Sequence, residues 1–247
     1  MCVAALAWQA HPDWLLVVAA NRDEYHERPT ASLSRWADGT MAGQDLRAGG
    51  TWLGVNEAGR QALVTNYRVA GYPRPELVSR GGLVTGWLRD AEVPSGAGMN
   101  PFNLLLGDGN TLRVVSNWPE PAEHDLAPGI HGLSNGDFGR PWPKARRLCD
   151  DLGGWLAHDA GGFDALFTAL RSEAPFPQED HGQGPEPAYS GVFIRNAEYG
   201  TRSSTVVAVT RKGQGTVIER RFSAEGEPAG ETRLNFVWDG PAGDSTK

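Results

Sequence analysis

The chain has 247 residues, 40% of them hydrophobic and 21% charged, with a formal net charge of −7. That length can bury a sizeable core, while the acidic balance excludes a general nucleic-acid partner, because phosphate contacts need a basic surface. No apolar run approaches the ~20 residues that span a bilayer, no basic secretory signal opens the chain, and Cys2 and Cys149 alone make no disulfide framework, so a cytoplasmic protein without an integral membrane segment is expected.

In chain order, Met1–Ala7 and Trp14–Ala20 are apolar runs around Pro12 and Asp13, which predicts a hairpin of buried strands. Residues 21–30 form a charged segment leaving that hairpin beside Cys2. The glycine-dense stretch 40–55 predicts turns with short strand pieces around Trp52 and Leu53. Gln61–Asn66 reads as a strand, and 76–88 as a helix interrupted at Gly81 and Gly82. Gly107-Asp108-Gly109-Asn110 predicts a hairpin turn between strands 102–106 and 112–116. From Pro143 to Leu156, Ala145, Leu148, Cys149, Leu152 and Leu156 recur on one helical face, with Gly153-Gly154 expected to fray its end. A second helical segment follows at 163–171 and a Pro- and Gly-rich loop at 174–190. Strands are then predicted at 192–194, 204–210, 216–222 and 233–238, ahead of a polar tail at 239–247. Strands, helices, then strands favour an α+β protein with mainly antiparallel sheets, in one domain over 1–238.

Cys2 would become the N-terminus on removal of the initiator methionine. It would then carry a thiol nucleophile and, on the same residue, an α-amine able to act as base. Polar clusters at strand edges accompany it: Asn21-Arg22-Asp23-Glu24, His131-Gly132-Leu133-Ser134-Asn135 and Gly200-Thr201-Arg202-Ser203-Ser204.

These clusters resemble the NRDE family, which includes the transport and Golgi organisation 2 proteins. The resemblance extends to Arg28-Pro29-Thr30, the run from Ala48 to Gly54, Thr65-Asn66-Tyr67-Arg68, Trp142-Pro143-Lys144 and the run from Tyr199 to Thr205. It covers residues 1 to about 238. It implies an N-terminal-nucleophile (Ntn) hydrolase-like αββα sandwich, two mainly antiparallel sheets between helical layers, distantly similar to bile-salt hydrolases and penicillin V acylases.

Carried over residue by residue, the resemblance makes Cys2 the nucleophile and Asp23 the acid that orients its amine. Asn66 and Asn135 become amides near the oxyanion, and Arg202 the arginine that keeps the site electropositive. Asn21, Arg22, Glu24, Trp52, Arg68 and His131 are the implied ligand-binding positions. Arg22 and Asp23 are adjacent here, whereas two residues separate the corresponding pair in bile-salt hydrolases. Neighbours on a strand face opposite sides, so Asp23 is assigned to Cys2, and Arg22 to a buried ion pair or the pocket rim.

Two activities stay open. One is hydrolysis or transfer of an acyl group at a non-peptide amide or thioester, with no cofactor required. The other is haem carriage on a retired hydrolase fold, with His26 or His131 as the iron ligand, since the family is also linked to haem movement and to lipid or acyl-CoA metabolism. Either implies a small amphipathic partner. Bland readings stand beside them: Cys2 as a core thiol, the Asn-Arg-Asp-Glu segment as a salt-bridged turn, Asn135 as a turn cap and Arg202 as an ion-pair residue. Cys149, on the apolar helix face, is expected in the core, and no zinc-type Cys or His spacing occurs.

Overall fold

A computed structural model describes residues 2–93, 95–158, 160–176 and 187–238. Met1, much of the loop expected at 174–190 and the tail expected at 239–247 lie outside the described residues.

In chain order come β1 (Val3–Trp8), β2 (Trp14–Tyr25), β3 (Thr30–Arg35), β4 (Met41–Asp45), β5 (Leu53–Val55), β6 (Gln61–Asn66) and α1 (Gly81–Asp90). Then follow β7 (Phe102–Gly107), β8 (Leu112–Ser116), β9 (Ala122–Asp125), β10 (Gly129–Leu133), α2 (Pro143–His158), α3 (Asp164–Leu170), β11 (Tyr199–Thr210), β12 (Gln214–Phe222) and β13 (Pro228–Val237). A six-stranded sheet has the order β10-β1-β2-β11-β12-β13; a seven-stranded sheet runs β3 to β9 in sequence order. The paired strands in both are antiparallel.

Strand alternation divides the interior into layers. Ala4, Leu6 and Trp8 of β1 and Leu16, Val18 and Ala20 of β2 face the second sheet, in a core shared with Leu53, Leu63 and Leu105. Val3, Ala5 and Ala7, with Val17 and Ala19, face α2 and α3. On the far side, Ala62, Leu104 and Leu106 face Leu83, Val84 and Leu88 of α1. The result is the expected αββα sandwich. Each fully buried Leu or Val contributes roughly 1.5–3 kcal/mol.

Several boundaries differ from the sequence reading. β2 does not stop at Ala20: its pairing with β11 continues to Tyr25↔Tyr199 across a bulge between Thr201 and Ser203. The Asn-Arg-Asp-Glu segment is therefore strand, because β11 supplies the ladder its charged sequence conceals. Residues 30–35 and 41–45 are strands as well.

The helix expected from residue 76 starts at Gly81, so the Gly-Gly pair opens α1 rather than interrupting it. Residues 192–194 form no strand; they are buried coil, held where Phe193 N–H bonds Ser172 O and Ile194 N–H bonds Thr201 Oγ1. α2 runs through Gly153-Gly154 to His158, its last turns anchored by buried Trp155 and Leu156. Cys149 is half-buried against the α2–α3 core, and burial pushes its thiol up to about 12.

Candidate active site

At one end of the inter-sheet layer, a cavity of about 110 Å³ opens above Cys2. β2 contributes Arg22, Asp23 and Glu24 to its lining. Trp52 and Asn66 come from the second sheet's side, Arg80 and Gly81 from the start of α1, Ser203 from β11 and Glu219 from β12.

The registers explain this convergence. Val3 pairs with Asn21, so Cys2, one residue before β1, arrives opposite Arg22. Cys2 is only 9% exposed. Burial pushes its thiol up; the Asp23 carboxylate adds to this, while the Asp23 backbone N–H and the Arg22 guanidinium favour the thiolate.

Adjacent residues of β2 then divide. Arg22 points into the inter-sheet cavity, with Nη2 3.8 Å from Glu24 Oε2 and Nη1 3.3 Å from Thr30 Oγ1. Asn21 and Asp23 point to the helical layer. Asn21 Nδ2 donates to Leu170 O at 2.8 Å and Val192 O at 2.9 Å, and its Oδ1 accepts from Ser204 Oγ at 2.6 Å. Asp23 Oδ1 accepts from Thr201 Oγ1 at 2.7 Å, and Oδ2 faces Lys144 Nζ at 3.9 Å. The carboxyl is fully enclosed, which pushes its pKa up against the opposing pull of the chain's amino terminus, then of Lys144 and Thr201.

Asn66 closes β6 at the cavity, and Asn135 stands behind it, donating Nδ2–H to Asn66 O at 2.7 Å. Arg68 N–H in turn bonds Asn135 O. Asn135 thus fixes the chain that carries Asn66 and is not itself a lining residue.

The remaining sequence candidates lie elsewhere. Arg202 is set at the β11 bulge, and its Nη1 bonds the carbonyls of Tyr25, His26 and Arg28. It braces the turn after β2, and the guanidinium groups that act on Cys2 are those of Arg22 and Arg80. His26 Nε2 bonds Asn196 O at 2.9 Å, and His131 Nε2 bonds Ala127 O at 2.8 Å. Neither histidine lines the cavity, nor does Arg68. Among the described residues no group of three or more His, Cys, Asp or Glu is placed to hold a metal ion.

Other residues at or beside the cavity carry weaker sequence signals. Arg28 stands in a motif that assigns it no role; here Nη2 lies 2.6 Å from Asp45 Oδ2. Glu219 occupies the same face of β12 as core Val217, and an acid at an inward position is the available sign. Lys144 sits four residues before Leu148 on the apolar stripe of α2. It is 1% exposed, and burial pushes its ammonium pKa down. Arg80 has no signal beyond preceding the Gly-Gly pair.

The architecture matches solved Ntn hydrolases. It is similar to the C2A mutant of conjugated bile acid hydrolase from Clostridium perfringens, with 10% identity, 94% of this chain and 92% of that chain covered, and a TM-score of 0.57. Penicillin V acylase from Agrobacterium tumefaciens gives 12% identity, 94% and 91% coverage, and a TM-score of 0.53. At these identities the likeness defines an Ntn-hydrolase-like fold. The model of the family described as Transport and Golgi organisation 2 matches residues 1–224, and the chain belongs to that family. The mouse Transport and Golgi organization 2 homolog is 32% identical, covering 89% of this chain and 92% of its own. The human homolog is 30% identical over 94% and 97%. No helix among the described residues is long and apolar enough to cross a membrane.

Proposed function

We propose that this chain hydrolyses or transfers an acyl group at a non-peptide amide or thioester, with Cys2 as the nucleophile. The observation that carries the reading is the placement of the Cys2 thiol on a polar cavity, one strand from a buried, oriented Asp23 carboxylate. Removal of Met1 would free the α-amine to take the thiol proton. The thiolate then forms an S–C bond at the carbonyl. Collapse breaks the C–N or C–S bond, and the leaving group departs with the proton held by the amine. Water attacks the thioester in the second half, releasing the acid and restoring the thiol; an acceptor amine or thiol gives transfer instead. Asn66 is a lining amide available to the developing oxyanion, and such donors are typically worth about 2.7–4 kcal/mol.

The cavity is smaller than the ~300–1,000 Å³ of pockets that enclose drug-sized ligands. It suits the reacting end of a substrate, with the rest lying outside. Exposed Tyr25, Leu46 and Val78 each adjoin a lining residue in sequence (Glu24, Asp45 and Ser79), which supports an amphipathic molecule. The same size, and the engagement of His26 and His131 with backbone carbonyls away from the cavity, favour acyl chemistry over haem carriage.

The test joins intact mass with turnover. Mature protein should lack Met1 and release product from a panel of acyl amides and thioesters, and Cys2→Ala should abolish that release. A Cys2→Ala protein as fast as wild type would refute the reading, as would full activity with Met1 retained.

A further inference from the structure

The acyl-transfer reading assigns no role to the buried charge of Lys144. Lys144 lies in the first turn of α2, directly after Pro143. A cation there meets the positive end of the helix dipole, and this one is also 1% exposed. Among the described residues its Nζ makes no hydrogen bond; the carboxylate it faces is Asp23, at 3.9 Å. Replacing a buried ion pair by apolar side chains is often neutral or stabilising. Stability alone therefore gives no reason for a lysine on a stripe that otherwise continues as Leu148 and Leu152.

The surroundings of Asp23 supply a reason. Thr201 Oγ1 holds Oδ1 at 2.7 Å, and Tyr199 Oη donates to the Asp23 carbonyl at 2.9 Å. The residue is thus fixed from β11, with Oδ2 turned to α2. The other titratable and charged groups acting on the pair are the Cys2 thiol, Arg22 and the chain's amino terminus. A carboxyl so enclosed tends to take up a proton, and a protonated Asp23 could not hold the ammonium form of the Cys2 amine.

We propose that Lys144 is a positioning residue for the Cys2 site: its sealed ammonium keeps Asp23 ionised and oriented beside the nucleophile. This rests on the acyl-transfer reading for its purpose, but the ionisation itself can be measured without turnover.

The experiment uses full-length protein with ¹³Cγ-labelled aspartate, the Asp23 resonance being assigned by its loss in Asp23→Asn. In wild type the resonance should keep its carboxylate shift at pH 7. In Lys144→Met it should report a protonated carboxyl at the same pH. For any acyl amide that wild type turns over, Lys144→Met should lower kcat at least tenfold with KM within about threefold. The acid limb of kcat/KM should move up by about one pH unit, since Asp23 then needs a higher pH to ionise. In an Asp23→Asn background the same change should cost less than twofold.

An Asp23 resonance that titrates identically in wild type and Lys144→Met overturns the proposal, whatever the activity. The expected resonance change in a protein that turns over no substrate upholds the pair and removes only the hydrolase reading. If Lys144→Met does not fold, Asp23→Asn/Lys144→Met should, because both charges are then gone. A double variant that stays unfolded assigns Lys144 to packing and overturns the proposal.

Discussion

Gly50 and Gly81 meet backbone to backbone at the cavity wall. A Cβ on Gly50 would lie 2.7 Å from the Gly81 carbonyl carbon, and one on Gly81 would lie 3.2 Å from Thr51 N. This contact seats the start of α1, and with it Arg80, against the loop before β5. Gly50→Ala should therefore lose about 1–3 kcal/mol, the usual range for overpacking, and distort the cavity. Gly49, at φ +76° with no atom within 4 Å of where a methyl would stand, makes the control: Gly49→Ala should cost only backbone strain and leave substrate KM unchanged. Urea melts and steady-state kinetics on both variants check the contrast.

Cys149 gives a prediction at high pH. Burial raises its thiol to about 12, above the ordinary ~8.5 of an unfolded cysteine. Its neutral form is thus favoured by the fold, a contribution fully present below the unfolded value of about 8.5 and lost progressively as pH rises toward 12. Cys149→Ala should show its packing cost at pH 7, yet lose about 2 kcal/mol less than wild type between about pH 8 and pH 10. Denaturant melts across that range test it. Parallel pH profiles for the two proteins would contradict the assignment.

Asp45 behaves in the opposite sense. Burial alone would raise its carboxyl, but the Arg28 hydrogen bond, helped by the backbone N–H groups of Ala48 and Arg47, holds it below the usual range. Its contribution is present above the unfolded carboxylate range and lost as pH falls through the folded value. Asp45→Asn should cost about 1–3 kcal/mol at pH 7, with the gap to wild type closing only as pH falls below the ordinary carboxylate range. Thermal melts at stepped pH measure the closure.

Haem provides a ligand test. Titration of wild type should give no saturable Soret shift that changes on His26→Ala or His131→Ala. A tight, stoichiometric shift abolished by either substitution would restore the carrier reading.

The sequence is most readable where a period or motif is local. Leu148, Leu152 and Leu156 disclose α2, and the alternating β1–β2 hairpin discloses the central sheet. Cys2, Arg22, Glu24, Trp52 and Asn66 do line one cavity. What stays hidden depends on partners distant in sequence. Nothing in residues 21–25 announces a strand until β11 pairs with it, and the bulge between Thr201 and Ser203 is what carries Arg202 to the 25–28 turn. The motif around Asn135 suggests an oxyanion donor; in the fold one of its two Nδ2 protons goes to Asn66 O, so its amide also ties the chain that carries Asn66. Lys144 stands in a motif that gives it no role, because its meaning arises only when α2 packs over Asp23.

The outer strands have a bearing on how the molecule behaves in a crowd. A sheet ends in unpaired backbone groups that can recruit a foreign strand. β13, outermost in the first sheet, presents exposed Glu231 and Arg233, and β9, outermost in the second, presents exposed Glu123 and Asp125. An approaching strand would have to strip water from these charges before its backbone could pair. Growth by strand addition is thereby opposed at the β13 and β9 edges, while β10 and β3 form the opposite edge of each sheet.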